Sequence, residues 1–167
     1  SARAGMNSGA AWDRKGKRVA MTLSMSGNPE IYILDKNAKK VKRQITDHPA
    51  IDTSPTWSPD GRWLAFVSDR ATGRPMIFKV RSRGGEVERL PQVGGYNSSP
   101  DWSPTGDLVA YSAMVGGEQY HIYTIHIPTG TVSRLTDESS NEEPSFSPDG
   151  RYVVFSRRRR GQTTLWV

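Results

Sequence analysis

Pro55-Thr56-Trp57-Ser58-Pro59-Asp60-Gly61 runs straight into Arg62-Trp63-Leu64-Ala65-Phe66-Val67-Ser68. Pro59 presets the first turn dihedral, Asp60 can hydrogen-bond locally, and Gly61 accepts a positive φ, so the chain reverses between two short strands. The phrase returns as Trp12-Asp13-Arg14-Lys15-Gly16, Trp102-Ser103-Pro104-Thr105-Gly106 and Phe146-Ser147-Pro148-Asp149-Gly150, in steps of 45, 45 and 44 residues. An aromatic and a turn repeating at this period mark β-propeller blades, each a four-stranded sheet that needs neighbours to bury its faces. Helical solenoids share such periods, but the alternation in Trp63-Leu64-Ala65-Phe66-Val67 and Leu108-Val109-Ala110-Tyr111-Ser112, with 16 Gly and 11 Pro, argues against helix pairs.

The fold class expected is all-β, a propeller of four-stranded antiparallel blades with about four blades present. Their bounds are about 8–46, 53–91, 98–136 and an incomplete 143–167. Lettered from the channel outward, the second repeat divides into strand A (about Ser54 to Ser58), B (Trp63 to Ser68), C (Met76 to Arg81) and D (Glu86 to Leu90). Strand C recurs as Ile31-Tyr32-Ile33, Ile122-Tyr123-Thr124-Ile125 and Leu165-Trp166-Val167, and strand D as Val41 to Ile45 and Val132 to Leu135. The C-to-D reversal falls at Gly84-Gly85, with Asn37 and Gly130 as counterparts. A fourth strand D is missing, which favours a piece of a larger ring over a four-bladed closure by Ser1 to Asn7, a segment of little β-propensity. The recurring Trp12, Trp57, Trp102 and Phe146 are expected to pack near the inner strand.

A length of 167 residues suits one domain, and a mean hydropathy of −0.63 with 35% hydrophobic residues suits many turns. No stretch approaches the ~18 apolar residues of a membrane span, and Ser1 to Ala11 does not read as a leader, so membrane insertion is not expected. The absence of cysteine leaves the redox compartment open. Much of the net charge of +6 is gathered in Arg157, Arg158, Arg159 and Arg160. Without an adjoining aromatic platform or a nucleic-acid module, that run argues for an acidic protein partner or a solvated hairpin before nucleic acid.

Pro55 to Gly61, Leu64-Ala65-Phe66-Val67-Ser68-Asp69-Arg70 and Ile77-Phe78-Lys79-Val80 together resemble the propeller repeat of the TolB family, and the resemblance covers nearly the whole chain. The order of Gly5-Met6-Asn7-Ser8-Gly9, Gly73 to Val80 and Gln119-Tyr120-His121-Ile122 is similar to that of consecutive blades in that six-bladed domain. The resemblance implies a periplasmic component of the Tol-Pal system. It further implies binding of the Pal lipoprotein, and of colicin segments that mimic it, at one channel mouth.

Propeller geometry places the D-to-A and B-to-C connections on one face and the tight A-to-B turns on the other, and binding residues gather on long loops held by a rigid scaffold. The D-to-A segments are Gly5 to Gly9, Asp47 to Ser54, Gln92 to Ser99 and Asp137 to Glu143; the B-to-C segments are Met25 to Pro29, Asp69 to Pro75, Met114 to Gln119 and Arg157 to Gln162. Carried over by position, the resemblance implies Met6, Asn7, Gly9 and Thr53 as partner-binding candidates, with Tyr96, Asn97, Ser98, Asn141 and Glu142 as neighbours; Asp52 beside Thr53 and Arg157 to Arg160 on the same face complete the candidate set. Several of these small polar residues could equally just cap strand A and turn the chain.

Catalysis is not expected: there is no Gly-x-Ser-x-Gly elbow, His-Glu-x-x-His pair or phosphate-binding Gly-Lys-Ser/Thr loop. His121 and His126 would point to opposite faces of one strand, and no cofactor or metal is assigned. Asp69 and Arg70 could form a local pair, and Asp137-Glu138 with Glu142-Glu143 reads more readily as a solvated loop than as a cation site. Two other roles stay open: the gating propeller of a prolyl-oligopeptidase-like serine peptidase, and a fragment that self-associates to complete a ring.

Overall fold

A computed structural model describes residues 7–25, 27–117 and 119–167, all in strands and turns. The strands are β1 (Asn7–Trp12), β2 (Arg18–Leu23), β3 (Glu30–Asp35), β4 (Val41–Gln44), β5 (Asp52–Trp57), β6 (Trp63–Ser68), β7 (Met76–Arg81), β8 (Val87–Arg89), β9 (Tyr96–Trp102), β10 (Leu108–Val115), β11 (Gln119–His126), β12 (Thr131–Arg134), β13 (Ser140–Phe146), β14 (Val153–Arg159) and β15 (Gln162–Trp166). They form three four-stranded antiparallel meanders and a last sheet of three strands, β13-β14-β15, arranged as four propeller blades. Asn7 pairs with Leu23 in the first sheet, and no described strand extends the outer edge of β15.

The turn that defines the repeat is built the same way four times. Ser58 N donates to Trp63 O at 3.0 Å and Gly61 N to Ser58 O at 2.9 Å, with Gly61 at φ 68°. The Ser58 hydroxyl accepts from Trp63 N at 2.9 Å and donates to Asp60 at 2.6 Å. Ser103 and Ser147 repeat the first of these bonds to Leu108 N and Tyr152 N, both at 3.1 Å. The first blade departs in sequence but not in geometry: the Asp13 carboxylate accepts from Lys17 N at 2.7 Å and Arg18 N at 3.0 Å. At the C-to-D reversal of that blade the left-handed residue is Ala38 (φ 53°), one place beyond Asn37, because Asp35 accepts from Lys39 N and Lys40 N and tightens the loop around it.

Alternation along the middle strands gives each blade two apolar faces. In the second blade, Leu64, Phe66, Met76, Phe78 and Val80 pack with Ala20, Ile31, Ile33 and Ile45 of the first. The intervening Ala65, Val67 and Ile77 pack with Trp102, Val109, Tyr111, Tyr123 and Ile125 of the third. Period-two side-chain direction therefore glues one strand to both neighbours. Outer strands carry alternating charge and stay half-solvated; Lys79 of β7 pairs with Glu88 of β8 at 2.9 Å.

Trp57 and Trp102 are buried between blades, and Trp57 Nε1 donates to Ala11 O of the preceding blade at 3.1 Å. Trp12 is 57% exposed, since no described sheet covers that side of the first blade, and Phe146 is half-buried. Equal burial of the four aromatics thus holds only for the two with a described sheet on each side.

The inner strands β1, β5, β9 and β13 lie side by side. Each carries a bulge whose residue is left-handed: Gly9, Ser54, Ser99 and Glu143, with φ of 57°, 53°, 50° and 56°. At Gly9 a Cβ would lie 3.0 Å from Ser54 Cα, so close approach of the next blade as well as the backbone angle requires glycine there. Below the bulge, Asp101 joins three blades, accepting from Phe146 N at 2.7 Å and Thr56 Oγ1 at 3.4 Å, while Thr56 Oγ1 accepts from Trp102 N at 3.3 Å.

Four stability outcomes follow from this packing. Phe66→Ala should cost about 3–5 kcal/mol in chemical denaturation, whereas exposed Tyr152→Ala should stay within about 0.5 kcal/mol. Gly9→Ala should lose on the order of 1–2 kcal/mol through the left-handed backbone alone. Burial pushes the Asp101 carboxyl above its ordinary 3.8, against the hydrogen bonds from Phe146 N and Thr56. The folded chain then holds that proton more tightly than the unfolded one, so the contribution is full below 3.8 and is lost as pH rises through the folded value. Asp101→Asn keeps an acceptor and removes this loss. Its denaturation midpoint should fall less than the parent's as pH is raised from about 4 towards neutrality; equal pH slopes would contradict the assignment.

Candidate functional site

The D-to-A and B-to-C connections gather at one end of the inner strands and form a rim. The inner strands begin earlier than the sequence suggests, at Asp52, Tyr96 and Ser140, because side-chain hydrogen bonds order the heads of these strands. Asp52, Thr53, Tyr96, Asn97, Ser98, Asn141 and Glu142 therefore stand on strands instead of loops. Met6 lies outside the described residues, as does the side chain of Asn7, whose backbone belongs to β1.

Asn7, Asp52, Asn97 and Asn141 occupy one repeat position, and the last three are fully buried. Each of these three buried side chains ties down a loop. Asp52 Oδ2 meets Arg70 Nη2 at 2.6 Å, so Arg70 pairs with Asp52 and not with its sequence neighbour Asp69, which instead accepts from Ile51 N at 2.9 Å. Asn97 Nδ2 donates to Gln92 Oε1 at 2.9 Å, and Asn141 Nδ2 to Glu138 O at 2.7 Å. The backbone contributes too: Asp52 N donates to Pro29 O and Asn97 N to Pro75 O, at 2.9 and 2.8 Å, each across a blade boundary. Thr46 and Thr136 hydroxyls accept from Ile31 N and Ile122 N, and in the second blade the side chain of Gln92 takes this place on Ile77 N.

Burial, reinforced by nearby Glu30, raises the Asp52 carboxyl above its ordinary range despite Ser68, Arg70 and Thr46. Glu30 is itself fully buried and accepts from Thr46 Oγ1 and His48 N, at 2.5 and 2.8 Å. His121, at the corresponding place in the third blade, is buried and held below its ordinary value by that burial and by Arg134, against Asp137. Asp52 and Glu30, through these bonds, fix the rim from beneath.

What the rim presents to solvent is different in character. Met25, Ile51, Val93, Tyr96 and Val115 are exposed apolar residues on these connections or strand ends. Tyr96 meets Tyr120 edge-on with centroids 5.9 Å apart. Beside them a cleft of about 550 Å³ opens between the B-to-C hairpins of the second and third blades, lined by Arg74, Pro75, Gly95, Tyr96, Met114 and Gly116 among others. Thr53, Ser98 and Glu142 are half-buried on the channel side, and Gly9 is the bulge residue already described.

The arginine run is not a free hairpin tip throughout. Arg157 to Arg159 belong to β14, and Arg160-Gly161, both with positive φ, make the two-residue turn into β15. Arg157 is half-buried: Nε donates to Asn141 Oδ1 at 2.9 Å, and its guanidinium lies 4.1 Å from the Trp166 ring centroid. Arg158, Arg159 and Arg160 are exposed, with Arg158 opposite Ser140 of β13. Sequence reasoning named Tyr96 but missed Met25, Ile51, Val93, Val115 and Arg74 as exposed residues of the rim. Their signal was present as single large apolar residues beside glycine pairs, in Val93-Gly94-Gly95 and Val115-Gly116-Gly117. No cluster of three or more metal-ligating side chains occurs among the described residues.

Comparison with known proteins bears directly on this architecture. A family described as the TolB beta propeller domain matches residues 1–167. The chain is similar to the Tol-Pal system protein TolB of Helicobacter pylori, 32% identical over 149 residues, which is 86% of this chain and 35% of the relative. It is also similar to the Tol-Pal system protein TolB of Bordetella parapertussis, 37% identical over 136 residues, 81% of this chain and 30% of the relative. The chain thus spans about a third of the length of these curated relatives. The crystal structure of TolB from Acinetobacter baumannii superposes on it with a TM-score of 0.86 at 35% identity, covering 99% of this chain and 41% of that one. With the repeat, the sheet order and the whole-length match in agreement, the chain belongs to the TolB β-propeller family.

Proposed function

We propose that this propeller is a non-enzymatic protein-binding scaffold of the bacterial envelope, acting in the periplasm, and that it engages a Pal-like lipoprotein domain or another envelope protein through its long-loop rim. The observation that carries this is the set of exposed Met25, Ile51, Val93, Tyr96 and Val115 on the long-loop side, with Tyr96 also lining a cleft, on a rim held by the Asp52–Arg70 pair and the Asn97 and Asn141 hydrogen bonds. Interfaces concentrate affinity in aromatic and apolar anchors on preorganised surfaces, ringed by charge that governs approach. The names of the relatives place those proteins in the Tol-Pal system and support the choice of partner class.

Within the candidate set, Tyr96 is the expected anchor, with Thr53, Ser98 and Glu142 on the channel side. Gly9, Asp52, Asn97 and Asn141 shape the rim without being its contact surface. Arg158, Arg159 and Arg160 steer an acidic partner, while Arg157 braces β15.

A pull-down from envelope extract, followed by surface-plasmon kinetics on the captured protein, tests the proposal. Tyr96→Ala should weaken binding by roughly tenfold, the effect of losing one anchor of about 1–2 kcal/mol. Arg158, Arg159 and Arg160 changed together to Ala should slow association at low salt and converge on the parent rate at high salt. A folded monomer that captures no envelope protein would contradict the proposal, and unchanged association at low salt would remove the arginines from it. A solution mass of two or more copies would instead point to self-association.

A further inference from the structure

The positive charge of the chain is concentrated on the tight-turn face. The A-to-B and C-to-D connections of the first two blades, taken with the strand residue at each end (12–18, 35–41, 57–63 and 81–87), hold ten basic and four acidic side chains, and the remainder of the chain holds thirteen of each. The whole surplus of +6 therefore stands on these four connections. Arg157 to Arg160 contribute none of it, since Asp137, Glu138, Glu142 and Glu143 of the same blade match them in number. The equivalent connections of the third and fourth blades hold one basic and two acidic residues, so the surplus is confined to two neighbouring blades.

The fold brings these connections together. Arg18 is in register with Asp35 and Trp63 with Arg81, so in each sheet the two connections leave the same end side by side. Arg18 Nη2 donates to Gly61 O at 3.2 Å and Arg43 Nη1 to Arg83 O at 3.1 Å, which joins the first blade to the turns of the second. Ser82 ties the two turns of the second blade, its N donating to Arg62 O at 2.8 Å and its hydroxyl to Gly61 O at 2.9 Å. Part of the charge is answered within the chain: Arg18 is paired with Asp13, and Arg14 donates to Pro104 O. Lys15, Lys17, Lys36, Lys40 and Arg83 are exposed, and their side chains meet no hydrogen-bond or ion-pair partner among the described residues. Arg83 joins Arg62 and Arg81 around a pocket of about 400 Å³ lined otherwise by Ser82 and Gly84, with no carboxylate in the lining. The contact from Arg62 to Asp60 is 3.8 Å long with both side chains largely exposed, and it holds Arg62 only loosely. The Arg81 guanidinium lies 4.0 Å from the Trp63 ring centroid, a contact that positions the group without taking up its N–H donors.

We propose that the tight-turn face of the first two blades docks on an anionic lipid surface, with a headgroup phosphate taken between Arg62, Arg81 and Arg83. Guanidinium forks match phosphate oxygens two at a time, so several around one pocket can share a single phosphate. The lysines favour a lipid surface over a protein: interfaces between proteins deplete lysine at their core and draw affinity from buried anchors, whereas a charged membrane attracts each nearby lysine without one. Of the large apolar side chains on these connections only Trp12, at their border, is exposed. A surplus held on one face also orients the molecule, turning the long-loop rim away from the lipid. The surface is opposite that rim and independent of the function proposed above.

Flotation of the intact chain with phosphatidylcholine vesicles, with and without phosphatidylglycerol, is the test. The chain should bind only the vesicles that contain phosphatidylglycerol, and the bound fraction should fall as salt is raised. Lys15, Lys36 and Lys40 changed together to Gln should lower the partition coefficient on the order of a hundredfold, roughly fivefold for each charge near the surface. Arg62→Gln with Arg83→Gln should lower it beyond the roughly 25-fold that two charges alone account for, because the phosphate contact goes with them. Arg158, Arg159 and Arg160 changed together to Gln remove as much charge as the lysine variant, from the opposite face, and should leave vesicle binding as in the parent. Equal binding to phosphatidylcholine alone, or an equal loss from the opposite-face variant, would overturn the proposal, and a loss no greater than charge alone predicts would strike out the phosphate pocket. Displacement from the vesicles by glycerol phosphate, at an ionic strength where potassium chloride has no effect, would mark a site for a free phosphate and overturn the lipid assignment. Tighter capture of poly-aspartate or duplex DNA than of the vesicles would overturn it in favour of an acidic protein or a nucleic acid.

Discussion

Every feature of this molecule depends on one constraint: a sheet apolar on both faces is stable only between two others. The middle strands meet it by simple alternation, with Leu64 and Phe66 turned to one neighbour and Ala65 and Val67 to the other. Burying a side chain of this size contributes about 1.5–3 kcal/mol, so stacking side by side outweighs any arrangement that leaves one face wet. Stacked sheets of equal height bring their inner strands together and align their connections into two faces. The rim and the tight-turn face are consequences of that geometry.

Packing alone does not fix the loops. That work falls to polar side chains at repeat positions, and the repeat tolerates changes of residue as long as an oxygen stays in place. Ser58, Ser103 and Ser147 accept the amide five residues on through a hydroxyl, and Asp13 does so through a carboxylate. Asp52, Asn97 and Asn141 do the same kind of work at the other end of strand A. A buried polar group costs free energy unless it is bonded, so these positions are confined to a few residue types while the exposed rim beside them is free to vary. Ile51, Val93 and Tyr96 are exposed and carry no such constraint.

The period, the strand order and the A-to-B turn were legible because each is local: Trp, Pro and Gly act within a few residues of where they stand. The edges of Trp63–Ser68 and Met76–Arg81 were read to the residue for that reason. The head of strand A was not. There the backbones of Asp52 and Asn97 bond to Pro29 and Pro75 in the preceding blade, contacts that sequence order does not show. Nor was the left-handed backbone of Ser54, Ser99 and Glu143 read, at the places where strand A shifts register against strand B of its own blade. Small polar residues at the channel mouth looked like contact residues in sequence; three-dimensional burial separates Asn97, which is covered, from Tyr96 beside it, which is exposed.

The most direct measurement of this account is native-state amide hydrogen exchange, resolved strand by strand. If stacking on both faces is the source of stability, β6, β7, β10 and β11 should be the slowest to exchange, and β15, whose Leu165 is 78% exposed, should open first. Uniform protection across all four sheets, or slowest exchange in β14 and β15, would contradict it.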